Sequence, residues 1–314
     1  MSTEELQPEE FAQAADAAIT DALNHEDPRK IVEILAQAGL CGVMADETDG
    51  GLGLSLAFAL PIVHAAGRLR LAVPLAEQIL IAHALPGTSE AQALAAGERT
   101  ATIAWHGSLK DEWVRADNGH TDWLLVADDE GAALIDIEGQ PQEMQTTLDP
   151  DHPQVWISTK QARVLARLDT DAWTLLQRQA HLLLAEFANG AAEGALQDTA
   201  TYMATRVQFG RPLSAKQAVR HLLARMRLLQ EVSSAAIRRA MHTDEYGQTR
   251  DTRPALANAI SNAAFVIEKS IHLHGGMGFT WELPIHHALR AVRKLNAAFD
   301  GLAQDNGRTF IQSV

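Results

Sequence analysis

The spacing of apolar residues changes twice along the chain, and this constrains the fold more than any other feature of the sequence. From residue 4 to 98 apolar side chains recur every three or four positions, as on an amphipathic helix. From about residue 99 they alternate in short runs such as TDWLLVADD and AALIDIE, as in strands, and past Leu168 the helical spacing returns. The pattern predicts a mainly α protein with a small β domain: an N-terminal helical domain over 1–98, a middle β domain over 99–165 and a C-terminal four-helix bundle over 166–314.

Turn and capping residues predict where several of these elements begin and end. Asp128 to Gly131 predict a hairpin turn between two strands. Ser214 and Gln217 have the spacing of a capping box at the start of the second bundle helix, and Pro212 suits the entry to that helix. In the third bundle helix, Pro254 suits the first turn and Gly275 the end.

Composition limits which partners the protein can bind and indicates the cell compartment in which it is expected. The 314 residues are 46% hydrophobic, which indicates a globular protein, and a net charge of −14 repels nucleic acid and anionic membranes. The single cysteine, Cys41, excludes an intramolecular disulfide, and the acidic start is unlike a signal peptide. The longest apolar run, LSLAFALPIVHAA, is too short to span a bilayer. We therefore expect a cytoplasmic protein without a transmembrane segment.

Two stretches carry residues suited to ligand binding, and each also has an ordinary structural explanation. In RVQFGRPLSAKQ, Arg206 ends a long helix, where a cation suits the helix dipole, but its guanidinium could also pair bidentately with a pyrophosphate. In HLHGGMGFTWELP, the glycines either cap a helix or let the backbone approach a ligand closely. The four histidines of residues 272–287 lack a Cys or carboxylate that would complete a metal-ligand spacing, so we expect no metal.

Taken together, the pattern R-x-Q-F-G-x-P-L-x-x-x-Q followed by H-G-G-M-G-F-T-W-E resembles the acyl-CoA dehydrogenase family. The order of the predicted domains is similar to that of the family, and LAQAGLCGVMADETDGGLGLS resembles its N-terminal glycine-rich segment. The resemblance thus covers nearly the whole chain.

The resemblance implies a cofactor, a substrate and site residues. Arg206 and Phe209 match the family positions that reach FAD across a subunit interface, with the arginine on the pyrophosphate, and Gln217 belongs to the same segment. The family glycines that let the backbone approach the adenosine half of FAD correspond to Gly275, Gly276 and Gly278. In the family, a glutamate removes the α-proton of an acyl-CoA thioester while the β-hydride passes to the flavin, and electron-transfer flavoprotein is the expected acceptor.

The catalytic glutamate of the family has no clear counterpart here. In place of the family's usual Glu-Gly pair this chain has Asp300 before Gly301, so Asp300 is the candidate base. Aspartate is shorter than glutamate by one methylene, which would compromise its reach to the α-carbon of the substrate. Some members place the glutamate near the start of the first bundle helix, where this chain has Gln177, Gln179 and Ala180. The first carboxylate of that helix, Glu186, is expected to have a packing or polar-pair role. Residues 99–165 also lack the family's TEP-x-x-GSD loop.

The chain keeps the FAD-binding motifs but lacks the catalytic glutamate and the TEP-x-x-GSD loop. In this it resembles the short subunit of heteromeric α2β2 bacterial steroid-type acyl-CoA dehydrogenases. The resemblance implies that the chain contributes FAD-binding residues, while a longer homologous partner supplies the glutamate. Two alternatives stay open: a self-sufficient homomer that uses Asp300 as its base, and a non-catalytic scaffold of the same fold.

Overall fold

The computed structural model describes residues 7–117, 121–144 and 154–299. These residues form two compact units. The first unit takes in the described residues up to Ala65 together with Leu71–Leu183, and the second takes in Ala66–Arg70 and the described residues from Leu184 on. No helix within the described ranges is long and apolar enough to cross a membrane.

The first unit begins with helices, and two of them start at a capping side chain. They are α1 (Pro8–Ala22), α2 (Pro28–Gln37), α3 (Leu56–Arg68), α4 (Leu75–Ala84) and α5 (Ser89–Ala95). The Asp27 carboxylate accepts from the Arg29 N–H before α2, and the Thr88 hydroxyl accepts from the Ala91 N–H before α5. Helices α1 to α5 all lie within residues 4–98, where the apolar spacing predicted helices.

The sheet of the first unit has, among the described residues, seven strands in the order β5-β6-β2-β1-β3-β4-β7. They are β1 (Ala101–Ser108), β2 (Trp113–Ala116), β3 (Trp123–Asp128), β4 (Gly131–Asp136), β5 (Gln142–Met144), β6 (Val155–Ser158) and β7 (Arg163–Asp169). Strands β1 and β3 are parallel, and β3 and β4 form the predicted hairpin, with Asp128 opposite Gly131. Part of the core lies on this sheet and includes Val114, Leu124, Val126, Ile135 and Ile157.

A buried carboxylate joins α4 to the first strand of this sheet. Glu77 accepts hydrogen bonds from the Thr102 hydroxyl, from the Ile103 N–H at 3.4 Å and from the Trp105 indole at 2.8 Å. All of these partners lie on β1. Buried carboxylates need such donors, so the contact fixes β1 against α4.

The second unit holds the C-terminal helices. They are α6 (Thr170–Thr205), which enters this unit at Leu184, α7 (Gln217–Met241), α8 (Arg253–Leu273) and α9 (Ile285–Ala298). Glycines let α6 pack closely against the end of α3: a Cβ on Gly67 would lie 2.0 Å from the Phe187 carbonyl oxygen, and one on Gly194 would lie 2.4 Å from that of Arg68. The mainly α fold with a small β domain is confirmed.

The start of α7 differs from the prediction. Helix α7 begins at Gln217 with Lys216 as its N-cap and no capping side chain, so the capping box of Ser214 and Gln217 is wrong. The chain forms a short 3-10 turn over Leu213–Ala215, which Pro212 precedes, and the Ser214 carbonyl accepts from the Arg220 Nε at 2.9 Å. The predicted ends of α8 are confirmed: Pro254 lies in its first turn, and Gly275 follows its C-cap with a positive φ of 61°.

Candidate functional site

The first candidate segment is a tight hairpin between α6 and α7, called here the hairpin turn (residues 206–212). Its strands are β8 (Val207–Gln208) and β9 (Arg211–Pro212), and its two-residue loop is Phe209-Gly210. Both loop residues have positive φ, 55° and 77°, as type I′ hairpin turns require. This conformation is uncommon for phenylalanine. The Phe209 ring is 87% exposed, and the Lys216 ammonium lies 4.2 Å from its centroid.

Arg206 links the end of α6 to this hairpin. Its N–H donates to the Tyr202 carbonyl at 2.9 Å, and its own carbonyl accepts from the Leu213 N–H at 2.9 Å. The backbone is therefore held at both ends, while the side chain is exposed. Within the described ranges, no hydrogen bond or ion pair engages its guanidinium, which leaves the donors of the Arg206 fork available for an anion.

Further cations flank the exposed Arg206 side chain. Arg211 lies in the hairpin turn, and Lys216 and Arg220 follow it within eight residues, although the whole chain carries a net charge of −14. Gln217 is the first residue of α7 and is exposed beside them. This end of α7 is thus locally basic, which favours an anionic ligand.

The second candidate segment is the 3-10 turn Gly275–Phe279, called here the glycine turn, which follows α8. Its glycines have different roles. A Cβ on Gly278 would lie 2.2 Å from the Ile271 carbonyl oxygen, so Gly278 is needed for packing against α8. A Cβ on Gly275 or Gly276 would meet no atom within 4 Å, and their exposed backbone is open to close approach by another molecule.

A stacked pair of rings joins the two turns. The Tyr202 and His274 rings lie 4.5 Å apart, centroid to centroid, with 17° between their planes. Tyr202 accepts the Arg206 N–H through its carbonyl, and His274 directly precedes Gly275. The structure therefore brings Arg206, Phe209 and the glycine turn to one end of the second unit. Sequence reasoning did not assign Tyr202 a role, because its contact with His274 is not local.

Large exposed side chains lie in the glycine turn and just after it. Met277, Phe279 and Trp281 are all exposed. The Arg290 guanidinium lies 4.5 Å from the Trp281 ring centroid, and the centroid of the His286 ring lies 4.9 Å from it. Exposed aromatic residues clustered with cations are typical of a surface that binds a ligand or another protein.

The predicted catalytic base, Asp300, lies outside the described residues. Glu186 is buried in α6, as its apolar surroundings in the sequence predicted, and Gln177 and Gln179 lie nearer the start of the same helix. The described residues contain no group of three or more His, Cys, Asp or Glu side chains that could hold a metal ion.

Comparison with known proteins gives a consistent result. The family model "Acyl-CoA dehydrogenase, C-terminal domain" matches residues 177–302. The acyl-CoA dehydrogenase IpdE2 of Mycobacterium tuberculosis is 31% identical over 262 residues, covering 80% of this chain and 76% of the relative. The acyl-CoA dehydrogenase FadE34 of the same organism is 29% identical over 308 residues, which are 92% of this chain but 43% of that relative.

Two solved structures have a similar fold. A chain of a variant of the Tcur3481-Tcur3483 steroid ACAD superposes with a TM-score of 0.79 at 25% identity, covering 96% of each chain. A chain of the ChsE4-ChsE5 complex from Mycobacterium tuberculosis superposes with a TM-score of 0.78 at 22% identity, covering 99% of this chain and 98% of the other.

Proposed function

The chain belongs to the acyl-CoA dehydrogenase family of FAD-dependent oxidoreductases, and we propose that it is one subunit of a heteromeric enzyme that introduces an α,β double bond into an acyl-CoA thioester. In this proposal the chain contributes FAD-binding residues, and a longer homologous subunit supplies the catalytic glutamate. The observation that carries the proposal is the Tyr202–His274 stack, which joins the hairpin turn and the glycine turn.

The residues at these turns suit a dinucleotide. Arg206 offers an exposed planar fork to a pyrophosphate, and Arg211 and Lys216 add positive charge nearby. The backbone at Gly276 has no neighbouring atom where a Cβ would stand, so the adenosine half of FAD could approach it. Bound FAD supplies the hydride acceptor. The residues of this chain bind and orient it, since none of the turn residues is a carboxylate base.

Two features support a second subunit. The amides of Gln177 and Gln179 cannot accept the α-proton, because an amide is too weak a base, and the shorter Asp300 stands in place of the family's usual glutamate; a glutamate of a second subunit would supply the missing base. Val207, Phe209, Met277, Phe279 and Trp281 are large apolar side chains left exposed in the second unit, as expected where another protein surface covers them.

The relatives also support a heteromer. One solved neighbour is the ChsE4-ChsE5 complex, and the other is a variant of the Tcur3481-Tcur3483 steroid ACAD. FadE34 is more than twice as long as its matched stretch, so it has room for a second segment of this size. We accordingly propose a steroid-derived acyl group, electron-transfer flavoprotein as the acceptor and a cytoplasmic location.

Two other functions make different predictions. A self-sufficient homomer with Asp300 as base would bind FAD and oxidise acyl-CoA by itself. A scaffold would keep the fold without flavin in any assembly. The exposed Arg206 side chain and the open backbone at Gly276 favour FAD binding over the scaffold.

Purification of the chain alone and together with a longer homologous subunit distinguishes these functions. We expect the chain alone to be colourless, and the co-expressed complex to show flavin absorbance that an acyl-CoA substrate bleaches. A yellow homomer bleached by acyl-CoA would overturn the heteromer. A stable complex without flavin would support the scaffold instead.

A further inference from the structure

We infer that Tyr202 and His274 are positioning residues that hold the two FAD-binding turns at a fixed distance and orientation relative to each other. This inference rests on the proposed function, because it assigns the stack a role in binding FAD. Neither ring needs to touch FAD for this role. Each acts through the backbone turn that it adjoins.

Tyr202 controls the hairpin turn from the last turn of α6. Its carbonyl accepts the Arg206 N–H at 2.9 Å, so the backbone of Arg206 is tied directly to Tyr202. The hairpin itself has little burial of its own, since Val207 is 54% exposed and Phe209 is 87% exposed. The placement of the hairpin turn therefore depends on contacts at its base, where Tyr202 lies.

His274 controls the glycine turn in the same way from the end of α8. It is the C-cap of that helix, and its N–H lies 3.2 Å from the Ser270 and Ile271 carbonyl oxygens. Its ring is only 5% exposed, and its Nδ1 lies 2.8 Å from the Ser270 carbonyl oxygen. That carbonyl is an acceptor, so Nδ1 carries the hydrogen and the ring plane is fixed.

The nearly parallel stack then connects two fixed backbones. Since the His274 ring cannot rotate without losing its hydrogen bond to Ser270, the Tyr202 ring packs on a surface of set orientation. A ligand that spans both turns binds more tightly when the relative position of the turns is already fixed, because less conformational freedom is lost on binding. Loss of the stack should weaken FAD binding even when the helices stay folded.

The test compares variants of Tyr202 in the complex with the longer homologous subunit. Tyr202→Phe keeps the ring, whereas Tyr202→Leu and Tyr202→Met keep an apolar side chain without it. The chain offers a matched control in its other tyrosine, Tyr246, which is 79% exposed between α7 and α8, away from both turns. The FAD dissociation constant is measured by fluorescence titration at a temperature where circular dichroism shows every variant folded.

We expect Tyr202→Leu and Tyr202→Met to raise the FAD dissociation constant roughly tenfold, while Tyr202→Phe and Tyr246→Leu stay within about twofold of wild type. A purely structural role would lower the unfolding midpoint without changing FAD affinity in the folded protein, and that result would overturn the inference. So would equal losses in Tyr202→Phe and Tyr202→Leu. A wild-type complex that binds no FAD would instead overturn the proposed function, and the inference with it.

Discussion

The indole Nε1 of Trp105 donates to the carboxylate of Glu77 at 2.8 Å, inside the first unit. Glu77 is 8% exposed, and this burial raises the pKa of its carboxyl from 4.5 to about 7, against the opposing effect of the donors from Thr102 and Trp105. The folded protein therefore holds a proton on Glu77 that the unfolded chain releases at lower pH.

This difference predicts that Glu77 makes stability depend on pH. The proton on Glu77 stabilises the folded state fully below pH 4.5, and this stabilisation is lost as the pH rises through about 7. Between these two pH values the folded state holds a proton on Glu77 that the unfolded chain has released. Between about pH 6 and about pH 8 the wild type should lose roughly 1 kcal/mol of unfolding free energy through this group. The Glu77→Gln variant, whose neutral amide imitates the protonated acid, should not show this loss of unfolding free energy. Urea unfolding of both proteins at the two pH values measures the difference, and parallel pH profiles would contradict it.

Cys41 should be unreactive in the folded protein. Its side chain is 1% exposed, and burial raises the pKa of the thiol to about 12, so almost no thiolate forms at neutral pH. We expect no reaction with Ellman's reagent in buffer and one thiol per chain in urea, since the sequence contains a single cysteine. Rapid reaction of one equivalent in buffer would show that this part of the first unit opens readily.

Alanine substitutions should separate the roles of two neighbouring glycines. Gly278→Ala places a Cβ 2.2 Å from the Ile271 carbonyl oxygen, whereas Gly276→Ala places one in open space. Gly278→Ala should lower the unfolding free energy by about 1–3 kcal/mol, because backbone must shift to admit the methyl group. Gly276→Ala should change it by less than about 0.5 kcal/mol and instead weaken FAD binding in the complex. Urea unfolding and FAD titration check the pair, and equal loss of stability in both variants would contradict the assignment.

Local patterns in the sequence account for much of the fold. The helical spacing gives α6 to α9, and the Asp-Asp-Glu-Gly turn gives the β3–β4 hairpin, because both depend on residues close together in the chain. Strand β7 was not predicted, since its residues are mostly exposed and lack a clear alternation. The parallel pairing of β1 with β3 also could not be read from either strand alone.

The candidate site was predicted only in part, for a similar reason. Its two motifs are visible in the sequence, and the structure brings Arg206 and Gly275 to the same end of the second unit. The Tyr202–His274 contact that joins them is long-range, so no local pattern indicates it. The Ser214 capping box failed because a 3-10 turn competes for the same residues.

The FAD affinity of the complex with Arg206 replaced tests the central claim most directly. Arg238 is the matched control, because it is an exposed arginine in the last turn of α7, at the end of that helix opposite the hairpin turn. In the complex with the longer homologous subunit, Arg206→Ala should raise the FAD dissociation constant at least about tenfold, since a charge-assisted contact to the pyrophosphate is lost. Arg238→Ala should stay within about threefold of wild type. Unchanged affinity in Arg206→Ala, or an equal loss in both variants, would contradict the account.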